Sequence, residues 1–268
     1  MKFFATGLSG TIGKHLPKDY IDLRVDLSKP YPYFSSLDWF PKSQIVHLGG
    51  IVGLQKCEKD AISSWKVNVE GTENLARVFK KHCDGKFIFL SSGHVYANAC
   101  TPHLETDPLN PSSLYATQKL AAENSLLEIF SDQLDRLLIL RVFSVLDWYT
   151  APGSLGALLT EALENTRKIS IVNSDDVRDF MTPHTIASNV DRVTKSSKLS
   201  GIYNLCTGIG TSVRDAVSTM FRGHGVDLEP DSFLSGNSDL PCLIGDNSRI
   251  KKAIKKMDLS WSPTRLSC

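Results

Sequence analysis

The stretch Thr6-Gly7-Leu8-Ser9-Gly10-Thr11-Ile12-Gly13 constrains this chain more than any other part of it. It directly follows the β-prone run Lys2-Phe3-Phe4-Ala5, and the apolar Ile12 and Leu16 suit the start of a helix. Strand, glycine turn and helix in that order make a βα unit. Gly7 is expected to let the chain turn sharply, Gly10 to remove the side chain where a pyrophosphate touches backbone, and Gly13 to let the helix press on the strand. Phosphates would then meet free N–H groups and the positive end of the helix dipole. Gly7, Ser9, Gly10, Thr11, Ile12 and Gly13 are the candidate ligands. Three glycines spaced three apart differ from the commoner dinucleotide fingerprint, in which two glycines are separated by one residue, and the stretch alone also reads as a glycine-rich hairpin.

The remaining composition narrows the function classes. A chain of 268 residues with 41% hydrophobic residues can fill one large α/β core with a small companion. Thirty basic residues against 29 acidic ones leave a net charge of +1, so no general attraction to nucleic acid or membrane is expected and an anionic ligand must be held locally. Cys57, Cys83, Cys100, Cys206, Cys242 and Cys268 are scattered without metal-ligand spacing, which predicts reduced thiols, no metal and a cytoplasmic protein. Gly7 and Ser9 interrupt any cleavable apolar leader, and no apolar run approaches the ~20 residues of a membrane helix.

Along the chain, Pro17 follows Gly13 by four residues, so the first helix is expected to last a turn or two. Ile21, Leu23 and Val25 alternate as in a strand, with Asp26 at or just beyond its end. An acid there suits adenosine hydroxyls, whereas Arg24 suits a 2′-phosphate. Ser43-Gln44-Ile45-Val46-His47 reads as a buried parallel strand, followed by Leu48, Gly49 and Gly50, where backbone approaches a cofactor. His47 is expected to be a hydrogen-bonded core residue. A helix is predicted from about Lys59 to Cys83 with Ile62, Trp65, Val69, Thr72, Ala76 and Phe79 on one face. Asn68 beside that stripe is a buried polar group in need of partners.

Lys86-Phe87-Ile88-Phe89-Leu90 is a further core strand that delivers Ser91, Ser92, Gly93 and His94 at its end. Ser112 or Ser113 can cap a helix starting near Leu114. Tyr115 and Lys119 on that helix are four apart and share a face. A nearby ammonium favours the phenolate and is expected to lower the tyrosine from its usual value of about 10. Ser92 would then hydrogen-bond the reacting oxygen. By itself the pair also reads as a surface helix contact.

These features occur in one order: the glycine stretch, the small residues after His47, Asn68-Val69-Glu70-Gly71-Thr72-Glu73-Asn74-Leu75, Ser91-Ser92 with Val95-Tyr96, and Tyr115 with Lys119. Together they resemble the extended short-chain dehydrogenase/reductase superfamily, in its nucleotide-sugar epimerase, dehydratase and ketoreductase branch. Leu140-Arg141-Val142-Phe143, Val177-Arg178-Asp179-Phe180 and Ile202-Tyr203-Asn204-Leu205 with Thr211-Ser212-Val213 continue it over nearly the whole chain. The resemblance implies an α/β fold, a Rossmann-like doubly wound parallel sheet. Residues 1–144 would form the dinucleotide-binding domain, and residues 145–268 a smaller, partly interleaved substrate-binding region. It implies NAD or NADP as cofactor and a nucleotide-sugar substrate. Tyr115 would be the acid/base, Lys119 its electrostatic partner and a ribose ligand, Ser92 a donor to the substrate oxygen, and Arg178 a ligand of the nucleotide-sugar phosphates. A homodimer is left open.

Departures from the pattern select among activities. Dehydratases of the branch place an Asp-Glu pair after the serine or threonine, where this chain has Gly93-His94, so elimination of water is not expected. The truncated segment from Lys14 to Asp26 suggests an exchangeable cofactor. The expectation is a 4-ketoreductase of a keto-deoxysugar nucleotide. A nucleotide-sugar epimerase with tightly bound NAD is the first alternative, and a non-catalytic dinucleotide-sensing protein is the second.

Overall fold

A computed structural model describes residues 2–148, 150, 154–165, 169–196, 198–254 and 258–260. Six strands form its central sheet: β1 (Lys2–Thr6), β2 (Tyr20–Asp22), β3 (Ser43–His47), β4 (Phe87–Ser92), β5 (Leu137–Val142) and β6 (Gly201–Leu205). Their spatial order is β6-β5-β4-β3-β1-β2, and every neighbouring pair is parallel. The chain leaves β1 first to one side and then returns to the other, so the order reverses between β1 and β3. Ligands bind at such a reversal, outside the carboxyl ends of the strands. There Thr6 stands level with His47.

Alternate residues along the strands point to opposite faces, and both faces are covered. Phe4, Ile45, Phe87 and Phe89 pack with Leu75, Ala76 and Phe79 of α1 (Gly71–His82) and Leu126 of α2 (Leu114–Ile129). Ala5, Val46, Ile88 and Leu90 pack on the other side with Ile186, Ala187 and Val190 of α3 (Pro183–Ser196). Full burial of each large apolar side chain contributes about 1.5–3 kcal/mol. A separate cluster of Leu146, Trp148, Leu159, Phe180, Val217 and Phe221 supports the C-terminal segments. Because β6 comes from beyond residue 144, the C-terminal half returns to complete the sheet. Among the described residues, no helix is long and apolar enough to cross a membrane.

One local expectation holds and two change. The first helix is one 3-10 turn, Gly13–His15, and Leu16 is already extended at ψ 148° because a residue before proline disfavours the helical region. Strand β2 ends at Asp22, four residues before Asp26; its edge position gives it β1 alone to pair with, although the Leu23 N–H still reaches the Ala5 carbonyl at 2.8 Å. The long predicted helix is broken into Ala61–Trp65, a π-helical turn Lys66–Glu70, and α1. The wide turn rotates the buried face, so Ile62 is 84% exposed while Val69, Thr72, Ala76 and Phe79 are buried.

Candidate active site

The glycine stretch wraps the end of β1. Gly7 adopts φ 71°, and a Cβ there would stand 2.9 Å from the Gly49 nitrogen, so both its conformation and its approach to the β3 loop require glycine. A Cβ on Gly13 would stand 2.2 Å from the Gly7 carbonyl oxygen. Gly13 therefore lets the turn close on Gly7 and Leu8, rather than letting a helix lie on the strand. Around Gly10 only the Gly7 oxygen lies near, at 3.1 Å from a built Cβ, which leaves the outer side open for a ligand.

Beside this turn is a cleft of about 380 Å³, lined by Gly7, Ser9, Arg24, Asp26, Gly49 and Gly50 among others. The Asp26 carboxylate accepts from the Ser28 hydroxyl at 2.6 Å and from the Ser28 N–H at 3.0 Å, which holds it below the usual carboxylate range on the rim of the cleft. Arg24 is 88% exposed and pairs with Asp22 at 3.4 Å. Small residues, backbone and one hydrogen-bonding acid fit the pyrophosphate and adenosine ribose of a dinucleotide. Gly49 and Gly50 line it from the end of β3, whereas Leu48 packs against the hydrophobic core and does not line the cleft.

His47 is a core residue. Its Nδ1 lies 2.7 Å from the Thr6 hydroxyl and its Nε2 3.0 Å from the Thr72 hydroxyl, and burial holds its pKa down at about 3. The Gly49 N–H donates to the same Thr6 hydroxyl at 3.0 Å, so Thr6 links β1, β3 and the cofactor loop. Asn68 accepts from the Ile51 N–H at 2.7 Å and donates to the Ile51 carbonyl at 2.9 Å and to Gln118 Oε1 at 2.8 Å. It fixes the β3 loop to α2, the helix that carries Tyr115 and Lys119. The sequence pointed to Asn68; Thr6 and Gln118 were missed, though a buried asparagine calls for a side-chain partner.

Ser113 caps α2 by accepting from the Ala116 N–H at 3.2 Å. Tyr115 then lies one turn before Lys119 on α2, near Ser92 at the end of β4. Burial raises the phenol to about 12, with the nearby Ser92 hydroxyl pulling the other way. The expected lowering by Lys119 is therefore overturned. Lys119 Nζ donates to the Leu90 carbonyl at 2.8 Å and stands 6.0 Å from the centre of the Tyr115 ring, while burial lowers its own pKa to about 8. One turn further along the same face, Glu123 opposes that shift and forms a buried ion pair with Arg141 at 2.7 Å. The Ser91 hydroxyl donates to Glu123. The pair was missed in the sequence. Its signal was the stripe Tyr115, Lys119, Glu123 at helical spacing, together with one arginine inside the apolar strand Leu137–Val142.

Arg178 lies in a short strand, Val177–Arg178, and donates to Asp176 at 2.7 Å, to the Val177 carbonyl at 3.0 Å and to the Pro241 carbonyl at 3.2 Å. The adjacent Asp179 is not its partner. That carboxylate is fully buried and accepts from the Thr207 N–H and Gly208 N–H at 2.8 Å each and from the Thr207 hydroxyl at 2.6 Å. Burial and the charge of Arg178 push His94 down to about 4 and leave its imidazole neutral. A second cleft of about 720 Å³ opens beyond Asp176, between Leu155, Leu158, Ile169, Ile171 and Val213.

Residues 40–206 match the NAD dependent epimerase/dehydratase family. The chain belongs to that family. As a member, it is 28% identical over 258 residues to GDP-6-deoxy-D-mannose reductase of Pseudomonas aeruginosa, a match covering 85% of this chain and 82% of the relative. The member's fold superposes on a Pseudomonas aeruginosa structure, RMD complexed with NADPH, with a TM-score of 0.82 and 23% identity, covering 98% of this chain and 93% of the other. It also superposes on the UDP-glucose 4-epimerase of Thermus thermophilus in complex with NAD, with a TM-score of 0.81 and 19% identity over 97% and 95% of the two chains. Structures solved with NADPH and with NAD thus share this fold.

Proposed function

We propose that this chain reduces a ketone, at C4 of a nucleotide-linked deoxysugar, with NADPH or NADH. The observation that carries the reading is the Tyr115–Lys119 pair on one face of α2, with Lys119 Nζ bound to the Leu90 carbonyl at 2.8 Å two residues before Ser92 and the phenol held protonated at about 12. Similarity to GDP-6-deoxy-D-mannose reductase supports the choice of reaction.

When bound, the nicotinamide supplies the hydride. Ser92 donates a hydrogen bond to the substrate oxygen and Tyr115 gives it the proton, so a ketone becomes an alcohol. Proton transfer of this kind contributes typically ~10²–10⁴-fold. The Lys119 ammonium stabilises the phenolate left behind and holds the cofactor ribose. Gly93 and the neutral His94 bring no carboxylate to drive elimination. Residues 1–144 hold the dinucleotide and the proton donor. Residues 145–268 hold the sugar nucleotide, with Arg178 on its diphosphate and its base end in the cleft beyond Asp176.

The test is to incubate the protein with a 4-keto-6-deoxy sugar nucleotide and follow the absorbance of the reduced cofactor. Stoichiometric loss is expected. Interconversion of a hydroxyl epimer with retained NAD and no net loss would establish an epimerase instead, and cofactor binding without turnover would establish the sensing role.

A further inference from the structure

Gln118 falls between Tyr115 and Lys119 on α2 and is completely buried, yet the proposed reaction gives it no part. Its amide oxygen accepts from Asn68 Nδ2 at 2.8 Å, and its amide nitrogen donates to the Ser64 hydroxyl at 2.8 Å. Asn68 belongs to the π-helical turn Lys66–Glu70, a widened turn of the kind that recurs at functional sites. From that turn Asn68 grips both backbone groups of Ile51, accepting from its N–H at 2.7 Å and donating to its carbonyl at 2.9 Å. A Cβ on Gly50 would stand 2.9 Å from Asn68 Oδ1, so the grip needs that glycine. The near end of the same loop is held by the Gly49 N–H, which donates to the Thr6 hydroxyl at 3.0 Å. Gly49, Gly50 and Ile51 line the dinucleotide cleft. Two side-chain amides in series therefore join the wall of the cleft to the helix that carries Tyr115 and Lys119.

We infer that Gln118 is a positioning residue: through Asn68 it sets α2 against the cleft loop Gly49–Ile51. The inference rests on the roles proposed above for the cleft and for Tyr115. A cofactor lying against the loop and a proton donor carried on the helix must keep their separation while hydride and proton move. Misplacement by about 1 Å can cost ~10²-fold in rate. Apolar packing is non-directional and resists sliding poorly. Hydrogen bonds between buried amides fix a register, because any slip leaves a buried polar atom without its partner.

Gln118→Met keeps a side chain of similar length and removes both polar atoms. Asn68 retains Ile51, and the Ser64 hydroxyl retains the Cys57 and Ala61 carbonyls at 3.1 Å each, so the variant is expected to fold. Ser64→Ala removes the other partner of Gln118 and spares its bond to Asn68. Single-turnover oxidation of NADPH by a 4-keto-6-deoxy sugar nucleotide should slow about ten- to a hundredfold in Gln118→Met, with the NADPH dissociation constant within about threefold of wild type. Ser64→Ala should turn over at the wild-type rate whatever its melt. Hydrogen exchange of the ligand-free protein gives a reading independent of the reaction. The Ile51 amide should exchange about tenfold faster in Gln118→Met and at the wild-type rate in Ser64→Ala. Gln118→Glu, which keeps an oxygen for the Asn68 amide, should return both readings toward wild type. An unchanged Ile51 amide in Gln118→Met, equal slowing in Gln118→Met and Ser64→Ala, or no recovery in Gln118→Glu would each overturn the coupling. Wild-type protein that leaves NADPH unoxidised, with Ile51 still exchanging faster in Gln118→Met, would overturn the proposed reaction and support the coupling.

Discussion

The Lys119 ammonium donates to the Leu90 carbonyl at 2.8 Å and stands 6.0 Å from the centre of the Tyr115 ring. The cation is thus tied to β4 two residues before Ser92, and Tyr115 keeps its proton because burial outweighs the pull of the nearby Ser92 hydroxyl. A phenol held at about 12 is protonated at neutral pH. That separation of roles, one group anchored and one protonated, sets the first two predictions.

Replacing Tyr115 by Phe should lower kcat by about 10²–10⁴-fold while leaving the cofactor dissociation constant unchanged, since only the phenolic proton is lost. Single-turnover rates and a fluorescence titration of reduced cofactor measure the two quantities separately. Near-normal turnover would remove Tyr115 as the proton donor.

Lys119 loses its charge as pH rises through about 8, well before Tyr115 at about 12. Cofactor affinity should therefore weaken above about pH 8 in the wild type and in Tyr115→Phe alike. In Lys119→Ala it should be weak throughout and flat with pH. A titration series across that range checks this, and an unchanged slope in Lys119→Ala would assign the titration to another group.

Gly10→Ala should fold normally and bind the dinucleotide about tenfold more weakly or worse, because its Cβ meets only the Gly7 oxygen at 3.1 Å and otherwise fills the open side of the turn. Gly13→Ala should also lower the melting temperature, since its Cβ would stand 2.2 Å from that oxygen. Thermal melts with and without cofactor separate the two effects. Equal melts for both variants without cofactor would contradict this assignment of the glycines.

Arg178→Lys should raise the substrate KM roughly tenfold and leave cofactor affinity alone, because an ammonium cannot grip two phosphate oxygens as a planar fork does. An unchanged KM would assign Arg178 to its ion pair with Asp176 alone.

Stability should fall in acid through His47. Its pKa is about 3 folded against 6.5 unfolded, so between these values the unfolded chain binds a proton that the folded chain refuses. Stability is full above pH 6.5 and declines as pH drops toward 3. His47→Gln should remove roughly 2–3 kcal/mol of the loss between about pH 6.5 and 4. Urea midpoints across that range test it, and the slope that survives belongs in part to His94, which behaves alike down to about 4.

Local causes were enough to read the βα entry, the buried strands ending in small residues, and the helix face shared by Tyr115 and Lys119. Glycine turns, two-residue and 3.6-residue periodicity and a serine cap act within a few residues, so they are written along the chain. The widened turn at Lys66–Glu70, the distance of Asp26 from β2, and the pairing of Arg178 with Asp176 depend instead on what packs against each segment. So does the proton on Tyr115. Spacing reports which side chains share a face, but burial and the partners brought from Leu90, Glu123 and Ser92 set their charge, because desolvation acts through the whole surrounding volume rather than along the chain.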